Sequence, residues 1–355
     1  MNRMALSQAQ LELLAQSAGI DLVGVTLAQP VADARIFEDW AARGRAAGMT
    51  YLTDHRADLR HDPRLLMPAA RTVLVAGVLY NTNEPKTDPA PAQAWISRYA
   101  WGPADYHDVV RGRLEALAQL LRQELGSFEY RVCVDTAPLL ERSLAREAGL
   151  GWIGKNTCLI HQGAGSWFFL GEILMAAAPE DFQLSGGAPP DRCGTCRRCI
   201  DACPTQALVP AGPDHWELDS ARCISYLTIE AQHVAPEALR PGLGNHVFGC
   251  DICQDVCPWN RRAPATDDPA FTRVGGGSDL DELAALDGEE FRRRFRQSPV
   301  WRTKHRGLLR NVAIALGNSG ESRWATIARQ LAQHQDADVA EAARWAVERL
   351  SSRPA

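Results

Sequence analysis

The chain carries Cys193-Gly194-Thr195-Cys196-Arg197-Arg198-Cys199-Ile200-Asp201-Ala202-Cys203-Pro204, answered by Cys250-Asp251-Ile252-Cys253-Gln254-Asp255-Val256-Cys257-Pro258. The first run has the C-x2-C-x2-C-x3-C-P spacing of iron–sulfur ligation, whose fourth cysteine crosses to a second cluster. Closely spaced thiolates in a tight turn can point at neighbouring irons of one cubane. The Cys-Pro ends the loop and sends the last thiolate elsewhere. This pattern assigns Cys193, Cys196, Cys199 and Cys257 to one [4Fe–4S] cluster. It assigns Cys203, Cys223, Cys250 and Cys253 to a second, with Cys223 supplying the ligand that the shorter run lacks. Structural zinc also uses Cys-x2-Cys pairs, but triple close spacing and two Cys-Pro ends argue against it. Disulfides are disfavoured because no secretory signal is read in the chain and cluster binding needs reduced thiols. Cys133 and Cys158 fall outside the pattern and read as small buried hydrophobes.

Bulk properties set the frame around these loops. A chain of 355 residues with 46% hydrophobic content accommodates two or three domains. No apolar run reaches the ~20 residues of a membrane helix, and Leu11, Leu13 and Leu14 lie in an amphipathic start rather than a signal core. A soluble cytoplasmic protein is expected. The net charge of −5 argues against a generally basic nucleic-acid binder but averages over local patches. One local exception stands out: Arg292, Arg293, Arg294, Arg296, Arg302, Lys304, Arg306 and Arg310 occur with no acidic residue among them and with Phe295 and Trp301 interleaved. Such a run is ordinarily a solvated helical face. Its lack of acidic neighbours in an acidic chain points instead to a polyanion site.

Along the chain, residues 1–186 read as mixed α/β, with strands expected at Leu22–Val25, Thr72–Leu79 and Tyr130–Val134 and a helix at Val109–Leu125. Gly186-Gly187-Ala188-Pro189-Pro190 marks a break before the cluster segment, 187–265, in which Cys203-Pro204-Thr205 opens a short helical stretch. Residues 260–277 read as a linker. From 266 to 355 the chain is a helical module, with short amphipathic helices at Leu308–Leu316, Trp324–Leu331 and Val339–Leu350 in the manner of HEAT-like pairs. No Gly-x-Gly-x-x-Gly follows a strand, so a Rossmann nicotinamide site is not supported. Gly149-Leu150-Gly151-Trp152-Ile153-Gly154-Lys155-Asn156 misses both the dinucleotide and the phosphate-loop spacing. Its glycines are expected to let backbone lie close to a bulky ligand.

Further motifs carry a resemblance over nearly the whole length. They are Met49–Leu52, Asp62-Pro63-Arg64, Ser97–Gly102 with Asp105-Tyr106-His107, Val134-Asp135-Thr136-Ala137-Pro138 through Arg142, and Gly151–Thr157. Phe169–Ile173, Cys223–Tyr226, Phe248–Gln254, Leu309-Arg310-Asn311 and Ala315–Asn318 complete the set. The chain resembles the epoxyqueuosine reductases, cobalamin- and iron–sulfur-dependent enzymes of tRNA modification.

The resemblance implies an α+β architecture: a mixed α/β corrinoid domain related to reductive dehalogenases, a ferredoxin-like two-cluster segment, and a C-terminal helical tRNA-binding module. It implies reduction of the epoxide of epoxyqueuosine to the cyclopentene of queuosine at the wobble position. The expected substrates are the tRNAs for Tyr, His, Asp and Asn. An external low-potential donor such as flavodoxin or ferredoxin would supply electrons to a monomer. The family's proton donor corresponds to Asp135. Opening an epoxide needs an acid, and desolvation beneath a corrin would raise this carboxyl's pKa. From sequence alone Asp135 also fits the N-cap of a helix over 136–147. Asp105-Tyr106-His107 lacks the later glycine of the Asp-x-His-x-x-Gly motif, so cobalt is expected without a histidine ligand. Asn156, Ser225, Arg56 and Leu170 are candidate corrin contacts. Gln232, Arg302, Lys304 and Arg306 are candidate RNA contacts. The rival readings are another corrinoid reductase, acting on an organohalide, and a ferredoxin-type electron carrier.

Overall fold

The structure is a computed structural model that describes residues 4–83, 93–184, 187–212, 215–273 and 279–352. The expected break at Gly186 and the glycines ending the linker, Gly275–Gly277, lie outside the described residues.

The N-terminal part is built on a four-stranded antiparallel sheet. In chain order its strands are β1 (Leu22–Leu27), β2 (Thr72–Leu79), β4 (Tyr130–Cys133) and β7 (Phe168–Met175), arranged β1-β2-β7-β4. The short β3 (Trp95–Ile96) precedes β4, and β5 (Trp152–Ile153) and β6 (Leu159–Ile160) form a hairpin. Period-2 alternation sorts the strand side chains into two layers. Leu74, Ala76 and Ile173 face α1 (Gln8–Ser17) and α3 (Tyr106–Leu125), while Val73, Val75 and Leu174 join Leu144 and Ala145 of α4 (Glu141–Glu147). A third helix, α2 (Ala34–Ala42), lies between β1 and β2 in the chain. Both sheet faces are covered, so β2 reads as a near-continuous apolar run rather than an alternating one. Gly171 permits close helix packing, because a Cβ there would meet the Leu114 side chain at 2.7 Å.

Helix α4 begins at Glu141, not near 136. Pro138 disfavours helical backbone at Ala137, and the segment before it stays a loop. Asp135 therefore caps no helix.

The cluster segment contains α5 (Arg198–Ala202), the hairpin β8 (Leu208–Gly212) and β9 (His215–Leu218), α6 (Ile224–Ile229), β10 (His246–Phe248) and α7 (Ile252–Asp255). The short helix lies before Cys203 rather than after it; Cys203-Pro204-Thr205 is a turn leading to β8. Proline at this point cannot continue α5.

The C-terminal helices are α8 (Leu280–Ala285), α9 (Gly288–Phe295), α10 (Lys304–Ser319), α11 (Ala325–Leu331) and α12 (Ala337–Ser351). Their core is continuous with Ile224, Leu227, Val247 and Phe248 from the cluster segment. Helix α10 is the pin. Buried Arg310 donates to the carbonyls of Ala231 and His233 at 2.8 Å and of Leu227 at 3.1 Å. Asn311 donates to Thr228 and Val247, and Asn318 to Arg240 and Gly244. These bonds satisfy irregular backbone that would otherwise be buried without partners. Among the described residues no helix is long and apolar enough to cross a membrane.

Candidate active site and cluster loops

Helices α5 and α7 pack together and hold the two cysteine runs side by side. Cys193, Cys196, Cys199 and Cys257 all line one cavity of about 220 Å³, closed by Asn156 and Trp259. Burial pushes up the thiols of Cys193, Cys199 and Cys257, Cys199 to about 12, with mutual repulsion added at Cys199 and Cys257. A second set assembles apart from it: Cys250 lies within electrostatic reach of Cys223 and Cys203, and Cys253 of Cys250 and Cys223. The Ala207 amide donates to the Cys203 sulfur at 3.3 Å. Four thiols around one cavity fit a cubane, whose irons hold as thiolates the buried Cys199 and Cys257 that this environment would otherwise keep protonated. Among the described residues no three His, Cys, Asp or Glu side chains converge as a single metal ion would require.

Cys158 departs from the sequence reading. Its thiol is hydrogen-bonded to Cys253 beside the second set. Cys133 is buried in the apolar layer under α4.

Asp135 lies in the loop after β4 with φ of 51°, a left-handed conformation that a non-glycine residue adopts at a cost. Its amide donates to Glu141 Oε1 at 2.7 Å. Its Oδ2 lies 2.9 Å from His107 Nε2, and His107 Nδ1 lies 2.6 Å from Asp105 Oδ1. Arg302 reaches across from the C-terminal module, with Nη1 3.5 Å from Asp135 Oδ2 and Nη2 3.4 Å from Glu230 Oε1. Tyr51, Tyr99 and Tyr106 sit within electrostatic reach of the carboxylate.

The expected raised pKa of Asp135 is corrected by this arrangement. Desolvation does push the carboxyl up, but the His107 hydrogen bond and the Arg302 and His107 charges outweigh it, so it titrates below its usual range. His107 moves the other way. Burial disfavours its cation, yet the hydrogen bonds to Asp105 and Asp135 raise it to about 9. At neutral pH the proton of this group resides on His107. Because both ring nitrogens are engaged, His107 has no lone pair to offer cobalt.

The other candidates are placed as follows. Asn156 is buried, donates to the Cys253 carbonyl at 3.4 Å and accepts from the Cys158 amide at 3.2 Å. Ser225 lies in the first turn of α6, its amide directed at the Cys223 sulfur. Leu170 is half-buried on β7. Arg56 makes a two-pronged pair with Asp54, Nη2 to Oδ2 at 2.6 Å, beside the Tyr51 ring. The glycines of 149–156 serve the fold: a Cβ at Gly151 would overlap the Ile160 carbonyl, and one at Gly154 the Ile160 side chain. They let the β5–β6 hairpin close.

The basic stretch finds its acidic partners elsewhere in the chain. Arg306 lies 3.6 Å from Asp336 and donates to Gln232 at 3.1 Å, Arg293 and Arg294 pair with Glu290 and Glu282, and Arg310 is buried. Phe291, Phe295 and Trp301 pack on one another rather than standing free. Gln232, Arg302, Lys304 and Arg306 line one shallow cavity of about 110 Å³ beside α10. Lys304 extends over the Trp301 ring at 5.1 Å.

Two cysteine sets of this spacing, in a chain that also brings His107 and Asp135 together, define an iron–sulfur oxidoreductase. Residues 192–260 match the family model of a 4Fe-4S double cluster binding domain, and residues 60–136 match that of epoxyqueuosine reductase QueG, DUF1730. The epoxyqueuosine reductase of Xanthomonas campestris pv. campestris is 43% identical over 96% of this chain and 95% of its own. That of Vibrio cholerae is 37% identical over 99% and 92%. The Streptococcus thermophilus epoxyqueuosine reductase structure superposes with a TM-score of 0.84 at 27% identity, covering 98% of this chain and 91% of that one. An epoxyqueuosine reductase crystallised with an epoxyqueuosine-modified tRNA-Tyr stem loop gives 0.81 at 25% identity, over 97% and 99%.

The chain belongs to the epoxyqueuosine reductase family. It is an oxidoreductase that reduces epoxyqueuosine to queuosine in tRNA and carries a domain for two [4Fe–4S] clusters.

Proposed function

We propose that His107 and Asp135 together deliver the proton that the epoxide oxygen takes up as its C–O bond opens. The overall reduction consumes two electrons and two protons, leaving an alkene and water, so proton supply is half of the chemistry. Asp135 presents its carboxylate to the substrate, and His107 recharges it along the 2.9 Å contact while Asp105 fixes the imidazole tautomer. Cobalamin, when bound, supplies a strongly reducing cobalt. The engagement of both His107 nitrogens fits a corrin with no histidine below it.

Asn156, Leu170, Ser225 and Arg56 are the residues proposed to hold the corrin opposite Asp135. Asn156 and Ser225 each touch the backbone or sulfur of a second-set cysteine. This supports a wiring in which Cys203, Cys223, Cys250 and Cys253 carry the cluster next to the corrin, and Cys193, Cys196, Cys199 and Cys257 carry the one that takes electrons from an external donor such as flavodoxin or ferredoxin. The helix pair α10–α12 supports a HEAT-like reading of residues 266–355, after a catalytic part at 1–186 and a ferredoxin-like part at 187–265. On its surface Lys304, Arg306 and Gln232 are proposed to meet tRNA phosphates, and Arg302 to lie between the RNA and Asp135. The enzyme acts as a cytoplasmic monomer on the tRNAs for Tyr, His, Asp and Asn.

The observation that carries this reading is the line Asp105–His107–Asp135 aimed at the open side of the site. Replacing Asp135 by Asn should leave cobalamin and tRNA binding intact and lower turnover on the order of 10²-fold. Near-normal turnover with an unchanged pH profile would remove Asp135 from proton delivery.

A further inference from the structure

Behind Asp135, on the side away from His107, lies a second acidic group that proton delivery to the epoxide does not use. Glu172 sits on β7 between Leu170 and Leu174 on the same sheet face, flanked in register by Val75 of β2 and Cys133 of β4. All four neighbours belong to the apolar layer under α4. Glu172 is completely buried, and neither carboxyl oxygen meets a donor. The polar group facing it is the carboxyl of Glu141, the first residue of α4. Glu141 in turn accepts the Asp135 amide at 2.7 Å.

No cation pairs with either glutamate among the described residues. Arg142 is turned to the Thr157 carbonyl, and the remaining charged or titratable groups facing the pair are Asp135, His107 and Cys133. With Glu172 buried in the apolar layer and Glu141 part-buried beside it, the two carboxyls cannot both be ionised without a partner. One proton held between them satisfies both: Glu172 donates to Glu141, and the other Glu141 oxygen is left to accept the Asp135 amide. Burial and the nearby Asp135 charge both act in this direction, raising Glu141 to about 8 and Glu172 as well.

We propose that Glu141 and Glu172 form a proton-sharing carboxyl dyad that positions the Asp135 loop, holding residue 135 in its left-handed conformation with the carboxylate toward His107. Glu141 is thus a positioning residue and Glu172 the group that keeps it in place; neither touches the substrate. The proposal rests on the reading of Asp135 as part of the proton supply, but its spectroscopic arm does not.

The test uses the full-length holoenzyme. The infrared difference spectrum, wild type minus Glu172→Gln, should show the carbonyl stretch of a protonated carboxyl, and wild type minus Glu141→Gln should show the same band. In turnover, Glu141→Ala should lose about 10- to 100-fold in kcat with KM for tRNA unchanged, the range that a misplaced catalytic group produces. Glu141→Gln, which still accepts the amide and can donate to Glu172, should recover most of that loss. Iron content and corrinoid binding would establish that each variant is folded. Absence of the band from both difference spectra overturns the shared proton, and normal kcat in Glu141→Ala overturns the positioning role. Near-normal turnover in Asp135→Asn with the band still present would instead refute the proton-delivery role of Asp135 and leave the dyad standing.

Discussion

Asp105→Asn isolates the proton on His107. Asp105 contacts the imidazole at Nδ1, 2.6 Å away, and caps α3 through the His107 amide at 3.1 Å. Asparagine retains both the cap and an acceptor for the ring, so only the negative charge is lost. The imidazole is raised from 6.5 to about 9, a preference for the cation of about 3 kcal/mol at 1.36 kcal/mol per unit. With its side chain 17% exposed, solvent screening takes little from that figure. Two carboxylates share this effect against burial, and loss of the closer one should lower the His107 pKa by about one to two units. In a single-turnover assay with a chemical reductant, the alkaline limb of the rate should move down from about 9 by that amount, while the rate at acid pH stays near wild type. Stability has the same sign. The raised imidazole contributes fully below about 6.5 and loses its contribution as pH rises through about 9, so the Tm gap between wild type and variant should close above that pH. An alkaline limb that does not move would refute His107 as the proton's resting place.

Cys223→Ala should leave roughly half the iron and sulfide and one EPR signal; about eight irons per chain would show that Cys223 is not a ligand. Lys304→Glu with Arg306→Glu should weaken tRNA binding at low salt and flatten its log–log salt dependence by roughly one unit per lost phosphate contact, or somewhat less. Parallel lines of equal affinity in a salt series would place the RNA elsewhere. Arg310→Met leaves the carbonyls of Leu227, Ala231 and His233 without their donor. It should cost about 3 kcal/mol, or more if water cannot reach them, read as a lower denaturant midpoint with a normal corrinoid spectrum.

The parts of this molecule that were legible in the sequence are those fixed by local spacing. The cysteine runs place the first set around one cavity because both runs sit beside short helices ended by Cys-Pro. The strand Thr72–Leu79 and the body of the long helix α3 follow from uninterrupted apolar pattern, although the capping Asp105 starts that helix three residues before the expected Val109. What escaped depends on long-range pairing. The basic stretch looked free of carboxylates because Asp135, Glu230 and Asp336, which meet Arg302 and Arg306, lie far away in sequence. Arg310 counted as one more surface cation, although its neighbours are backbone carbonyls 77 to 83 residues distant. Cys158 carried no spacing signal, since its partner Cys253 arrives from helix α7. A signal for Glu172 was present: a carboxylate inside the apolar run Phe168–Met175 is costly and calls for a partner. Which partner it finds is decided by the start of α4, and that was misplaced by five residues because Pro138 was read as helical.

The corrected Asp135 environment also bears on how the C-terminal module and the active site communicate. Among the described residues Arg302 reaches from that module to the proposed proton relay, and the same guanidinium holds Glu230 at the end of α6, the helix capped by Cys223. While Arg302 stays on Asp135 it favours the carboxylate form and leaves the proton on His107. A phosphate arriving beside Lys304 and Arg306 competes for that guanidinium, and each ångström by which Arg302 leaves Asp135 raises the carboxyl's affinity for the His107 proton. Substrate binding and proton transfer are thereby linked in sign. On the proposed reading, RNA that draws Arg302 away would move the Asp135 carboxyl toward its protonated form when the epoxide is in place. Arg302→Leu should then raise the Asp135 pKa in the free enzyme and remove the shift that tRNA produces. An unchanged tRNA-induced shift in the pH profile of Arg302→Leu would show that the RNA acts on Asp135 by another route.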